Sequence, residues 1–146
     1  LKDALDAEPT DRPAAPETLD RVRLLLGACL AAEGKFADAV AQFDAVAGNP
    51  KGPHYAAAVE RSGAALFAAG EFQKAADRLA PFRDKPELRG VGGVSDRAVL
   101  RLAESFAGAK NWDAARQTYE VFFQRYGGSP HAAAARYGLG WTLQNQ

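Results

Sequence analysis

Apolar residues along this chain recur at helical spacing, and one block of them returns in register. The block Leu26-Gly27-Ala28-Cys29-Leu30 through Gly34, Phe36, Ala39 and Phe43 reappears as Ser62-Gly63-Ala64-Ala65-Leu66 through Gly70, Phe72, Ala75 and Leu79, each position displaced by 36 residues. A third copy, displaced by 40 more, runs Ala103, Phe106, Lys110, Trp112, Ala115, Tyr119, and a fourth opens at Gly138 and Trp141. A period of this size is the signature of stacked helical repeats.

Two packed helices explain the block. A small residue and a large one three later share a helix face, so Gly27 admits a neighbouring helix while Leu30 fills the space beside it. Glycine inside a helix costs roughly 1 kcal/mol against alanine, so its return at Gly63 asks for a packing reason. Gly34 and Gly70 suit the left-handed residue that ends a first helix. Ala39 with Phe43, and Ala75 with Leu79, then form the buried stripe of a second helix. Such hairpins cannot cover their apolar faces alone and must stack.

The order small, large three later, alanine twelve later, large sixteen later is met by Gly27, Leu30, Ala39, Phe43, by Gly63, Leu66, Ala75, Leu79, and by Ala103, Phe106, Ala115, Tyr119. In this the chain resembles the tetratricopeptide repeat (TPR) family. The resemblance implies an all-α, right-handed α-α superhelix of about three helix pairs plus a partial fourth. The periods of 36 and 40 exceed the 34 usual in the family, and Ala103 stands where its glycine is common.

Residues 1–15 read as the end of a preceding helix and a proline-rich linker, and 16–146 as the repeat domain of a longer protein. Repeats are expected at about 20–53, 56–94 and 96–130, with a partial one at 131–146. Helices are expected over Pro16 to Glu33, Phe36 to Ala47, Pro53 to Ala69, from Phe72 to a bend or end at Pro81, from Asp96 to Ala109, and from Trp112 to Arg125. Ser95, Asn111 and Ser129 are placed as helix caps, with Pro130 opening the last helix. The stretch Asp84 to Val94 reads as a flexible insertion; its Gly90-Val91-Gly92-Gly93 follows no strand and lacks the dinucleotide spacing.

Composition narrows the function. The 146 residues are 47% hydrophobic and 25% charged, as in a soluble globular domain, and the formal net charge is zero. Nothing in that balance attracts nucleic acid or an anionic membrane. The single cysteine, Cys29, excludes an internal disulfide and is expected to be buried between Gly27 and Leu30. His54 and His131 lack the second ligand a metal needs, and neither a nucleophile turn nor a phosphate loop with its lysine is present. No cofactor, metal or catalytic residue is expected.

That leaves binding. The resemblance implies that first helices line a concave face, which puts Arg21, Leu24, Glu60, Arg61, Phe67, Arg97, Leu100, Arg101, Glu104 and Arg136 on a peptide-binding groove. Arg61, Arg97, Arg101 and Arg136 would make one side positive, unless Glu60 and Glu104 pair with them. The five-residue carboxylate clamp of chaperone-binding members is not matched, because Leu24, Ala28 and Arg61 occupy three of its places. The expected partner is a peptide or helix of another protein, with further repeats of the same chain at both ends. Alternatives are a spacer or oligomerisation role, or an accessory domain of an enzyme. The junction Tyr126 to Trp141 resembles the tyrosine-proline-x-serine and alanine-rich helix that often join repeats in bacterial envelope TPR proteins such as the Tol-Pal coordinator and the lipoprotein of the barrel-assembly machinery, with Gly127 where that proline is usual. It implies a periplasmic or cell-envelope location, with the cytoplasm as the alternative.

Overall fold

The computed structural model describes residues 14–146; the helix tail and linker expected over 1–13 lie outside the described residues. Seven α-helices follow in order: α1 (Pro16–Ala32), α2 (Phe36–Ala47), α3 (Tyr55–Ala68), α4 (Phe72–Asp84), α5 (Ser95–Gly108), α6 (Trp112–Tyr126) and α7 (Ala132–Asn145). A single 3-10 turn at Pro86–Leu88 follows α4, and no strand occurs among the described residues.

Each helix packs on the next, giving the hairpins α1–α2, α3–α4 and α5–α6, with α7 as the first helix of a fourth. First helices also touch one another, α1 on α3, α3 on α5 and α5 on α7, whereas the second helices stand further apart and meet through long side chains, Arg78 of α4 on Asp44 of α2 and Arg125 of α6 on the Arg83 carbonyl of α4. The first helices therefore form the inner wall of a curved stack, a helical-repeat superhelix. Its core falls into two clusters that meet at α3: Ala58 and Ala65 pack with Phe43 and Val46 of α2, while Val59 packs with Leu79, Phe82 and Leu102.

The small positions do what the spacing predicts. A Cβ on Gly27 would stand 2.6 Å from the Phe43 ring, and one on Gly63 only 2.4 Å from Leu79 Cγ, so each glycine admits the large residue of its own second helix. Gly34 and Gly70 take the left-handed conformation at φ 77° and 78°. Lys110 holds the same place in the third hairpin at φ 60°, the one non-glycine there among the described residues.

Four expectations change. The fourth copy is not in register at Gly138 and Trp141. On α5 the buried outer positions are Ala98, Leu102 and Ser105; on α7 they are Ala135, Leu139 and Thr142, with Leu139 half-buried. That register sets Gly140 and Leu143 where Ala103 and Phe106 stand, 37 residues on. Gly138 instead serves α6, a Cβ there meeting the Tyr119 hydroxyl at 2.2 Å.

Cys29 is exposed, not buried. Its counterparts Ala65 and Ser105 are covered by the helices before them, while nothing among the described residues covers that face of α1.

Helix boundaries shift at serines and prolines. α3 begins at Tyr55, two residues after Pro53, and α4 runs through Pro81 to Asp84, its end held by the Lys85 amide on the Pro81 carbonyl at 2.8 Å. Ser95 is not a cap: its hydroxyl donates to the Leu88 carbonyl at 2.5 Å and accepts from the Val91 amide at 2.9 Å. Ser129 accepts from the His131 amide and donates to Asp96 at 2.6 Å, so α7 starts at Ala132, beyond Pro130. Asn111 does cap α6, accepting from the Ala114 amide.

The insertion between α4 and α5 is tethered. Leu88 is buried in the larger cluster, Ser95 grips both sides of the loop, and the Tyr126 hydroxyl donates to the Arg89 carbonyl at 2.8 Å.

Candidate functional site on the inner wall

The ten residues expected along the groove separate into three groups. Leu24 and Leu100 belong to the core, at 6% and 7% exposure. They sit one helical turn before Gly27 and Ala103, so the face that closes the hairpin claims them before any ligand can. Arg21, Arg61 and Arg136 have no ion pair among the described residues; Arg61 is half-buried, and Arg136 is exposed on α7, where the corrected register turns it off the inner wall.

The remaining five form two linked contacts. Arg97 of α5 reaches back to α3 and holds both carboxylate oxygens of Glu60 at 2.9 and 3.0 Å. Glu60 is only 4% exposed, so this pair satisfies a charge that burial would otherwise penalise. The hydrogen bond to Glu60 raises the Arg97 guanidinium above its ordinary value, against the opposing effect of desolvation. One turn on, Arg101 donates to Glu104 at 2.9 Å while its guanidinium lies over the Phe67 ring, 4.6 Å from the centroid. Burial raises the Glu104 carboxyl above its usual range despite the pull of Arg101 and His131. Two of the four arginines expected to make the groove positive are thus neutralised by the two glutamates.

Sequence reasoning missed the aromatic end of the wall. The register on α7 points Ala134, Tyr137 and Trp141 inward, and they close a cavity of about 430 Å³ with Phe67, Phe72, Glu104 and Tyr119. Tyr137 is 79% exposed and Trp141 44%, unusually bare for side chains of this size. Trp141 stacks edge-on with Trp112 at 5.3 Å, as Phe67 does with Phe72 at 5.2 Å. The signal lay in Gly138-Leu139-Gly140-Trp141-Thr142-Leu143, which offers two glycines each followed three later by a large residue.

A larger cavity, of about 720 Å³, lies on the outer side between α2 and α4, over Val59 and Leu66 of α3. It follows from the splay of the second helices, and charged residues including Lys74, Asp77 and Arg78 rim it. Arg78 is engaged there, bonding Asp44 at 2.7 Å beside the Ser62 hydroxyl.

His54 is half-buried with Nε2 4.0 Å from Glu17, and His131 is the cap residue of α7. No group of three histidine, cysteine or acidic side chains suited to a metal occurs among the described residues. No described helix is long and apolar enough to cross a membrane.

Inward first helices, splayed second helices, small-on-large hairpin closure and left-handed connections are the architecture of a tetratricopeptide-repeat superhelix. Residues 97–129, the α5–α6 hairpin, match the family model described as "Tetratricopeptide repeat". Among solved structures, the crystal structure of the Sgt2 TPR domain from Aspergillus fumigatus is similar over 89% of this chain and 79% of that one, with a TM-score of 0.70 at 19% identity. At that identity the likeness speaks for the fold alone. No curated protein matches the sequence. The chain carries a tetratricopeptide repeat, and the helices around it have the fold of such a domain.

Proposed function

We propose that this is a non-enzymatic scaffold whose inner wall holds a peptide or helix of a partner protein. The observation that carries the reading is the bare aromatic cavity, where Tyr137 and Trp141 stand exposed beside Phe67 on the concave side. Large aromatic side chains at low entropy cost are typical anchors for a partner. The test is quantitative capture of binding proteins by the wild-type chain and by the double variant Tyr137→Ala, Trp141→Ala. The variant is expected to stay folded with unchanged helical content and to lose captured partners; an unchanged set overturns the reading.

A second reading is favoured by the ends of the stack. Val22 and Leu26 on α1 are exposed, although their counterparts Ala58, Ser62, Ala98 and Leu102 are fully buried by a preceding helix. A Cβ on Gly140 meets nothing within 4 Å, although its counterpart Gly63 is filled by Leu79. Both faces suit helices of further repeats, which would make the domain a spacer in a longer solenoid. Val22→Asp with Leu26→Asp would then destabilise a longer chain that stacks further repeats on α1 and leave the 146-residue chain largely unaffected. The bacterial envelope location rests on the Tyr126 to Trp141 junction alone; a leader upstream in the parent chain would support it and its absence would remove it.

A further inference from the structure

Five rings and one carboxylate meet in the inner cavity: Phe67, Phe72, Tyr119, Tyr137 and Trp141 with Glu104. Glu104 is spent on one side only. Its Oε2 accepts from Arg101, while Oε1 has no hydrogen-bond partner among the described residues. Arg101 also displays how this lining treats a cation, lying against the Phe67 face at 4.6 Å while bound to the same carboxylate. Ring faces carry negative potential and attract cations in this way. Neither Tyr137 nor Trp141 has a cation of the chain over it among the described residues.

From this arrangement we infer that the cavity takes an alkylammonium group, as carried by a lysine side chain of the partner, its head at Glu104 Oε1 and its stem along the rings. The inference rests on the reading of the inner wall as a binding surface. A neutral apolar side chain would fit the walls, but it would strip water from Oε1 and return no donor, a costly exchange for a carboxylate. An anionic group is repelled by the same oxygen. Arg101 does not take the role itself, because it binds Oε2 from the rim of its own helix, at i,i+3.

The probe is n-butylammonium chloride, with 1-butanol as the neutral control at matched ionic strength. The readout is the indole N–H signal of Trp141 in nuclear magnetic resonance of the whole chain. The amine is expected to shift that signal saturably, with a dissociation constant on the order of ten millimolar, and the alcohol to bind about tenfold more weakly. Glu104→Gln is expected to erase the difference between them. Tyr137→Ala, at an exposed position, is expected to weaken the amine severalfold with no change in melting temperature. Equal binding of amine and alcohol, an unaffected Glu104→Gln variant, or no saturable shift would each overturn the assignment. Partner capture that depends on Tyr137 and Trp141 while the amine fails would sink this inference alone. Amine binding with partner capture unchanged would sink the scaffold reading instead.

Discussion

Arg97 on α5 and Glu60 on α3 are joined by two parallel hydrogen bonds across 37 residues of sequence, stapling the second and third hairpins from the inside. The relationship is asymmetric, because Glu60 is buried and 43% of the Arg97 side chain is exposed. Arg97→Ala strands the buried carboxylate and is expected to cost about 2 kcal/mol, whereas Glu60→Gln leaves a cation that can turn to water and costs about 1 kcal/mol. The double variant should recover much of the loss. Denaturant unfolding of all three measures the coupling, and equal costs for the two single variants would contradict the asymmetry.

Gly63 and Gly140 hold the same repeat position with opposite surroundings. Gly63→Ala drives a Cβ into Leu79, 2.4 Å away, and is expected to destabilise by ~1–3 kcal/mol. Gly140→Ala meets open space in mid-helix and is expected to stabilise by about 1 kcal/mol. Thermal unfolding of both variants checks the register assigned to α7, since the earlier placement at Gly138 predicts no such contrast.

Lys110 carries a side chain where Gly34 and Gly70 carry none, in the left-handed region at φ 60°. Lys110→Gly removes that strain and should stabilise the third hairpin by about 1 kcal/mol, in contrast to the usual loss on introducing glycine. Gly70→Lys, the mirror substitution, should destabilise by a similar amount.

Tyr119 gives the chain an alkaline limit. Burial first, and the Glu104 carboxylate second, raise the phenol well above its ordinary value of 10.0. A folded pKa above the unfolded one means the contribution is whole below that ordinary value and fades as pH climbs through the higher, folded one. Unfolding midpoints measured from about pH 9 to about pH 11 should fall in the wild type and fall less in Tyr119→Phe. Identical slopes would show that the hydroxyl reaches solvent.

The fold was legible because its determinants are local and repeated. Gly27 with Leu30, Gly34, Ala39 and Phe43 describes a complete hairpin, and each contact the spacing implies is present. The candidate site was less legible for three physical reasons. Leu24 and Leu100 sit at an angular position that borders both groove and core, and core burial takes them. Arg97 and Arg101 fit either a positive groove or pairing with Glu60 and Glu104, and spacing alone does not choose between the two, because Glu60 lies far along the chain from Arg97; the structure shows the pairing. Trp141 takes the large position of the repeat if Gly138 is its small one, and a groove position with Tyr137 if Gly140 is; the two glycines compete for one role, and only the burial of Ala135 and Thr142 decides it. Cys29 is exposed because nothing among the described residues covers its face of α1, which the spacing between Gly27 and Leu30 does not reveal.

The two apolar clusters share α3 as a party wall, with Ala58 and Ala65 turned one way and Val59 the other. A linear array held by nearest neighbours has no obligation to come apart in one event. The α1–α2 end, joined to the rest through that wall and the Asp44 contacts to Ser62 and Arg78, is the segment that amide exchange should see open first. The stack would then peel from its amino-terminal end, leaving the aromatic cavity closed and usable while α1 and α2 are loose.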